Sequence, residues 1–276
     1  MSYCAKVSLV LAGLAAWPVL AADSAPAYTA ESIFNAATQT AGALAPNTIA
    51  TVYGSNLAFT TRAVKSTDVK GGVLPSNMEG ITVYVGGIAA SLFYVSPAQI
   101  NFLIPYELRA GTVTMVVARQ GVAGPVVKLQ LDATDPGMFQ WDGGVRSAGI
   151  IRYAIASHLT GQVVGPDTPA AAGEIVVVYA VGLGRTSPDT TTGRVVSSVA
   201  PIAAMSQLQV TVGGLPVPAK DILYAGLAPG FAGLYQINLR LPATLPPDPE
   251  IRVSIGPQIS PAQIRLPARA TAISID

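Results

Sequence analysis

The sequence predicts an all-β protein in which two tandem β-sandwich domains follow a signal peptide. Three observations predict this fold class: apolar and polar residues alternate with a period of two, blocks of sequence recur further along the chain, and Gly (27) and Pro (22) are abundant among the 276 residues. Glycine supplies the positive φ angles, and proline the fixed φ angle, that tight turns require. We therefore expect many short strands joined by tight turns.

Alternation is clearest at Leu208–Val212 and Ile251–Ile255, where apolar and polar residues alternate without exception. Residues 237–241 and Val127–Leu131 follow the same pattern. Such alternation places one face of a strand on a core and the other face in water. Residues 175–179 are continuously apolar instead, which is typical of a central strand that is covered on both sides.

Three blocks of sequence recur in the same order, which indicates that one unit is duplicated. The pairs are 51–57 with 177–183, at an offset of 126, 85–87 with 212–214, at an offset of 127, and 99–105 with 236–242, at an offset of 137. The Gly-Gly pairs of the middle block predict two-residue hairpin loops, because the turns in such loops need positive φ angles. We attribute the rise in offset to an insertion around residues 225–233 of the second copy.

Residues 1–22 are predicted to be a signal peptide. Lys6 supplies a positive charge, residues 7–16 form an apolar run too short for a comfortable membrane span, and Leu20-Ala21-Ala22 resembles a cleavage site. The alternative is an uncleaved anchor helix, and the shortness of the apolar run argues against it. We therefore expect an exported protein, with no transmembrane segment after the signal peptide.

The rest of the chain is expected to divide into two sandwiches and a connecting region. The predicted segments are a first sandwich at 26–132, a connecting region at 133–172, a second sandwich at 173–267 and a tail at 268–276. The connecting region is expected to hold a β-hairpin between residues 148 and 160, followed by a Pro/Ala-rich loop, and to pack with the second half.

Charge and cysteine content exclude several classes of function. The chain has 16 basic and 15 acidic residues. Only Lys6 lies in the predicted leader, so the remainder is formally neutral. A neutral protein has no electrostatic steering toward nucleic acid, which we do not expect as a partner. The single cysteine, Cys4, also lies in the leader, so neither disulfides nor thiol chemistry are expected in the mature chain.

Several motifs spread along the chain point to one family. They lie at 35–37, 44–49, 93–101, 104–106, 136–139, 173–184 and 224–238. Together they resemble the Solibacter uncharacterised C-terminal domain family, and the resemblance covers nearly all of residues 30–267. It implies a secreted acidobacterial protein whose shared unit has no assigned activity. It also implies that each half is an immunoglobulin-like module of the IPT/TIG type.

No constellation of side chains in the sequence predicts catalysis. His158 is the only histidine, and we interpret it as a surface or hairpin residue rather than a catalytic one. Asp132, Asp135 and Asp142 could together hold calcium, but their spacing matches no calcium loop, so solvated turn residues are the preferred interpretation. We expect no enzyme activity, no cofactor and no metal.

A binding surface is predicted around the insertion, since inserted loops on rigid sandwiches commonly carry binding residues. The candidate residues are Trp141, Tyr224, Leu227, Phe231 and Tyr235. An alternative interpretation of the insertion, which the sequence supports equally, is that the side chains of the insertion fill the interface between the two halves.

These observations favour an exported, non-catalytic structural or interaction module that acts in adhesion or assembly at the cell surface or in the periplasm. Its partner would be a protein or a cell-surface glycan, bound through loops or exposed strand edges. A carbohydrate-binding module is the alternative function, and a secreted hydrolase is a third. The sequence predicts neither the ligand nor the oligomeric state.

Overall fold

A computed structural model describes residues 24–146 and 149–271, and the fold within these residues is all-β, as predicted. The predicted signal peptide lies outside the described residues. Helical structure within them is limited to four single turns of 3₁₀ helix, at Ala30–Ser32, Ser66–Asp68, Met205–Gln207 and Ala219–Asp221. No helix in the described part of the chain is both long enough and apolar enough to span a membrane.

The first half contains two sheets that enclose one core. Its strands are β1 (Ile33–Asn35), β2 (Ile49–Tyr53), β3 (Arg62–Ala63), β4 (Ile81–Val85), β5 (Ile88–Ala89), β6 (Ser91–Val95), β7 (Gln99–Leu103), β8 (Gly111–Arg119), β9 (Val122–Ala123) and β10 (Val127–Leu131). The sheet orders are β1-β2-β7-β6-β3 and β10-β8-β4-β5, with β9 paired to β8. Val52 and Phe102 of one sheet and Val83 and Val117 of the other belong to the same fully buried cluster.

The second half has the same two-sheet arrangement and a third, smaller sheet. Its strands are β11 (Gly137–Met138), β12 (Gln140–Arg146), β13 (Gly149–Ala154), β14 (Ala156–His158), β15 (Ile175–Val181), β16 (Ala200–Pro201), β17 (Leu208–Val212), β18 (Leu215–Pro216), β19 (Ile222–Leu227), β20 (Tyr235–Arg240), β21 (Ile251–Ile255), β22 (Gln258–Ile259) and β23 (Ile264–Arg265). The sheet orders are β11-β15-β20-β19-β16, with β14 on β15, then β18-β17-β21-β22, and the added β12-β13-β23.

Strand pairing follows the sequence repeat. In the first half Tyr53 of β2 lies opposite Gln99 of β7. In the second half Tyr179 of β15 lies opposite Gln236 of β20. These are the residues that the offsets of 126 and 137 equate. Because one residue of slip would turn a whole strand over, an equal register means that the two halves bury equivalent faces.

The insertion in the second copy is divided between two places, so the prediction that it all lies around residues 225–233 was wrong. Tyr94 pairs with Asn101, and Tyr224 pairs with Asn238, each directly after a bulge. Tyr94 and Tyr224 are 130 residues apart. Three of the ten extra residues therefore precede β19, near its 3₁₀ turn, and seven lie between β19 and β20. Strand β19 itself continues to Leu227.

The hairpin of the connecting region lies earlier than predicted. It is formed by β12 and β13, between residues 140 and 154. Strand β14, which lies within the predicted hairpin, instead pairs with β15 in the main sheet. The chain passes from one sheet to the other at Ile155, whose N–H donates to the carbonyl of Phe139. An alternating pattern does not reveal such a change of sheet, because both strands have the same period.

A buried hydrogen-bonded bridge joins the two halves at Tyr235. The hydroxyl of Tyr235 donates to the carbonyl of Gly184 at 2.5 Å and accepts from Asn47 Nδ2 at 3.1 Å. Both Tyr235 and Asn47 are buried. Burial raises the pKa of the Tyr235 hydroxyl, so this group stays protonated and remains a donor. The bridge thus joins β20 of the second half to the turn before β2 of the first.

A second set of contacts comes from the loop at residues 185–195, which we call the clasp loop. Its backbone pairs with the first half: Leu74 N–H donates to the carbonyl of Gly193 at 2.9 Å, and Val195 N–H donates to the carbonyl of Gly72 at 2.8 Å. The hydroxyl of the buried Tyr106 donates to Asp189 Oδ1 at 2.6 Å. Arg185 covers the same Tyr106 ring, 4.4 Å from its centroid.

Apolar contacts complete this seam between the halves. Leu74, Leu103 and Ala232 form a buried cluster that includes residues from both halves. The adjoining Gly233 has a φ angle of +68°, and a Cβ added there would lie 2.2 Å from Leu103 Cδ1. A side chain at this position would therefore be strained by its backbone conformation and would also collide with the first half.

We predict that Gly233→Ala destabilises the protein more than Gly230→Ala does. Gly230 lies in the same loop with a φ angle of +88°, but a Cβ there would meet nothing within 4 Å. Gly230→Ala should lose about 1 kcal/mol through backbone strain alone. Gly233→Ala should lose roughly 1–3 kcal/mol more through overpacking, since the buried Leu103 has little room to move. Urea unfolding of both variants measures the difference; equal losses would mean that the seam contact does not stabilise the protein.

Candidate functional site

Three of the five candidate binding residues have structural roles. Tyr235 and Leu227 are fully buried. Tyr224 is half-buried, and its hydroxyl donates to the carbonyl of Leu227 at 2.8 Å and accepts from Ala200 N–H at 3.1 Å. Leu227 and Tyr235 thus present no side-chain surface to a ligand. Tyr224 serves mainly to hold β16 against β19.

The other two candidates are accessible, but they do not form one surface. Phe231 is 53% exposed on the loop between β19 and β20, where its carbonyl accepts from Val196 N–H at 3.2 Å. Trp141 is half-buried on β12 and lines a groove of about 400 Å³, to which Phe231 does not contribute. The structure therefore leaves Trp141 and Phe231 as separate candidates.

The groove beside Trp141 lies where the two halves of the chain meet. We call it the Trp141 groove, and its walls are formed by Ala36, Ala37, Gln39, Phe139, Gln140, Trp141, Asp142 and Arg152. The first three residues lie in the turn after β1, and the others lie on or beside the β12–β13 hairpin. Its volume falls within the range of roughly 300–1,000 Å³ that is typical of small-molecule sites.

The indole of Trp141 is held by its cross-strand neighbour. Trp141 lies directly opposite Tyr153, and their ring centroids are 5.0 Å apart at an interplanar angle of 38°. Such a pair is stabilised beyond simple burial. The Tyr153 hydroxyl in turn donates to Asp248 Oδ2 at 2.8 Å. A Cβ at Gly143 would lie 2.2 Å from the Tyr153 ring, so this glycine makes room for the ring over the bulged strand.

The opposite wall is fixed by a side chain that caps its own turn. Asn35 Oδ1 accepts from Ala37 N–H at 3.0 Å, while Asn35 Nδ2 donates to Asp135 Oδ2 at 2.8 Å, across the seam. Burial raises the pKa of the Asp135 carboxyl, and the hydrogen bond from Asn35 opposes that shift. Gln140 Nε2 makes a second bond across the seam, to the carbonyl of Thr38, at 3.2 Å. Both walls are therefore held in position before any ligand arrives.

A positive side chain, a negative side chain and two uncharged polar atoms border the groove. Arg152 Nε lies 3.9 Å from Asp142 Oδ1, and the two side chains are 49% and 70% exposed. Trp141 Nε1 and Gln140 Oε1 are covered and have no hydrogen-bond partner among the described residues. The groove thus combines an aromatic ring with neutral amides and a weakly paired ion pair that adds no net charge.

Sequence reasoning found Trp141 but missed Gln39, Gln140 and Arg152. The first lies more than 100 residues from the others, and no local pattern links them. Gln39 has a φ angle of +54°, and a positive φ angle cannot be predicted from sequence for a residue other than glycine. Arg152 lies beside Trp141 and Asp142 only because of the register of the β12–β13 hairpin, and the position of that hairpin was predicted wrongly.

The three aspartates considered for calcium each have a protein partner. Asp132 accepts from Gln258 Nε2 at 2.9 Å, Asp135 accepts from Asn35, and Asp142 faces Arg152. Across residues 24–146 and 149–271, no group of three or more His, Cys, Asp or Glu side chains is arranged to hold a metal ion. Their interpretation as solvated turn residues also needs correction, because Asp132 and Asp135 are half-buried.

His158 lies on β14 and is engaged through both ring nitrogens. Nδ1 faces Glu174 Oε1, and Nε2 lies 3.1 Å from the carbonyl oxygen of Thr168. Only the imidazolium can donate to both oxygens. The hydrogen bond with Glu174 raises the pKa of His158, burial opposes the shift, and the Thr168 carbonyl adds to it. This arrangement stabilises the edge of the main sheet and leaves no free nitrogen for proton transfer.

We predict that stability decreases as pH rises from about 6 to 9, and that His158→Gln removes most of this decrease. Because the pKa of His158 is raised in the folded state, its ionisation stabilises the folded protein fully below the ordinary pKa of 6.5. This stabilisation is lost as pH rises through the folded-state pKa. The side chains of His158 and Glu174 are 15% and 26% exposed, so we expect the free energy of unfolding to fall by about 1 kcal/mol or less. Urea unfolding at both pH values tests this, and equal pH slopes for wild type and His158→Gln would contradict it.

Comparison with known proteins gives a family match for the first half. Residues 34–132 match the IPT/TIG domain family, whereas no curated protein matches the chain. Similar solved structures include a surface glycan-binding protein from Prevotella bryantii (13% identity, TM-score 0.27, covering 88% of this chain and 42% of that one). They also include a Bacteroides ovatus mixed-linkage glucan utilization locus protein, SGBP-B, in complex with a mixed-linkage heptasaccharide (13% identity, TM-score 0.33, covering 89% of this chain and 44% of that one).

The extracellular region of plexin A4 is a further similar structure, at 12% identity and a TM-score of 0.26, with 95% of this chain and 17% of that one covered. The chain thus spans less than half the length of each of these structures. The resemblance to the Solibacter family remains a prediction. What the family comparison does show is that an IPT/TIG domain, an immunoglobulin-like sandwich, lies at residues 34–132.

Proposed function

We propose that the chain is an exported, non-catalytic interaction module that acts in adhesion or assembly at the cell surface or in the periplasm. The observation that carries this proposal is the seam, in which Tyr235, Asn47 and the clasp loop hold the two sandwiches together. A rigid scaffold presents loops and grooves in fixed positions, which reduces the entropy lost on binding a partner.

The engagement of the polar side chains supports a non-catalytic role. His158 is held by Glu174 and Thr168, and the hydroxyl of the neighbouring Ser157 lies 3.3 Å from the Tyr179 hydroxyl. A nucleophile and its base must lie within hydrogen-bond reach of each other and of an open space. Ser157 and His158 are adjacent on a strand, so their side chains point to opposite faces.

The exported location is supported by the predicted signal peptide at 1–22. The partner is a protein or a cell-surface glycan. Two accessible features can meet it: the Trp141 groove and the loop that carries the exposed Phe231.

We predict that the protein is recovered from periplasmic, surface or extracellular fractions, with an N-terminus near Asp23. Cell fractionation followed by mass spectrometry of the N-terminal peptide measures both. A chain that lacks residues 2–22 is the matched control and should remain in the cytoplasm. Recovery of the full chain only from the cytoplasm would end the proposal.

We also predict no turnover of chromogenic glycosides or esters above the rate in buffer, because His158 is engaged through both ring nitrogens and the adjacent Ser157 points to the opposite face of the strand. The purified protein should be compared with His158→Gln under the same conditions. Turnover by the wild type that His158→Gln abolishes would show that a catalytic site exists.

A further inference from the structure

We propose that the Trp141 groove binds a neutral carbohydrate, with one face of a pyranose ring against the indole of Trp141. The inference rests on the proposed function as a binding module and specifies the class of its ligand. A sugar ring combines an apolar C–H face with hydroxyl groups around its edge. The groove offers the matching combination of one aromatic plane and a polar border.

The aromatic plane is already in position. Tyr153 supports the Trp141 ring from the facing strand, and Tyr153 is itself bonded to Asp248. Both aromatic side chains therefore lose little conformational freedom when a ligand binds, and that saving favours affinity. If the indole of Trp141 only filled the hydrophobic core, the protein would cover it completely. Part of the Trp141 side chain instead lines the groove.

The polar border suits hydroxyl groups rather than charged ligands. Asp142 and Arg152 are exposed and 3.9 Å apart, so each retains most of its acceptors or donors for a ligand. Their charges cancel, which gives no attraction for a phosphate or for a cationic peptide. Hydroxyl groups both donate and accept, so a diol can bind the carboxylate and the guanidinium together.

The two covered polar atoms support the same class of ligand. Trp141 Nε1 is a donor and Gln140 Oε1 is an acceptor, and neither has a partner among the described residues. Leaving such groups unpaired is unfavourable, because each has lost its hydrogen bonds to water. A sugar hydroxyl can accept from the first or donate to the second, whereas a purely apolar ligand can do neither.

An extended peptide is a less suitable occupant. Strand β12 is at the edge of its three-stranded sheet, but its ladder is interrupted by a bulge between Asp142 and Val145. Bulges obstruct the addition of another strand. Binding of a peptide in place of a sugar is therefore an outcome against the proposal.

The tryptophan content gives a direct test. Trp141 and Trp17 are the two tryptophans, so the full chain with Trp17→Phe reports on the groove alone. We expect cellotetraose, laminaritetraose, xylotetraose or mannotetraose to change its fluorescence in a saturable way. Arg152→Met should weaken the affinity about tenfold, while Arg269→Met, a matched control at an exposed arginine outside the groove, should leave it unchanged. Calorimetric titration of Trp141→Ala and Trp141→Phe should show affinity lost in the first and partly kept in the second.

Circular dichroism confirms that each variant folds, and Arg152→Met keeps the test valid if Trp141→Ala does not. The inference is overturned if neither these sugars nor a glycan array gives binding, or if Arg152→Met binds as tightly as wild type. Surface localisation combined with capture of a protein partner would then leave the proposed function standing. Recovery only from the cytoplasm would remove the proposed function, whatever the sugar titration shows.

Discussion

The bridge at Tyr235 is the interaction on which the rest of the structure depends. A buried phenol donates to one half, at Gly184, and accepts from the other, at Asn47. If the halves separated, the bond from Asn47 to Tyr235 would break, and each of these two groups would need water or would lack a partner at a cost of about 1–3 kcal/mol. Two covalently linked sandwiches are free to rotate about their linker by default. Here a directional bond within an apolar seam restricts that rotation.

The Trp141 groove depends on these contacts between the two halves. One wall is a turn of the first half and the other is the added hairpin of the second, and the bonds from Asn35 to Asp135 and from Gln140 to Thr38 hold them together. Neither wall would form the groove alone. The duplicated sandwich thus supplies stability, while the hairpin, which has no counterpart in the first half, supplies the candidate binding surface.

Much of the fold could be predicted from the sequence because strand period and hairpin glycines are local signals. The repeat equates Tyr53 with Tyr179 and Gln99 with Gln236, and in each half the structure pairs these equivalent residues. The insertion was misplaced, since three of its residues precede β19, where no recurring block of sequence marks the change of offset. Burial of Tyr235 and Leu227, which had been candidates for a binding surface, depends on contacts from distant parts of the chain. The bond from Asn47 to Tyr235 spans 188 residues, and no periodicity encodes it.

The central claim, that the seam makes the two sandwiches one cooperative unit, is tested most directly by differential scanning calorimetry of the mature protein. The account predicts one transition whose calorimetric enthalpy equals its van't Hoff enthalpy. Two resolved transitions, or a calorimetric enthalpy near twice the van't Hoff value, would contradict it, because the halves would then unfold independently.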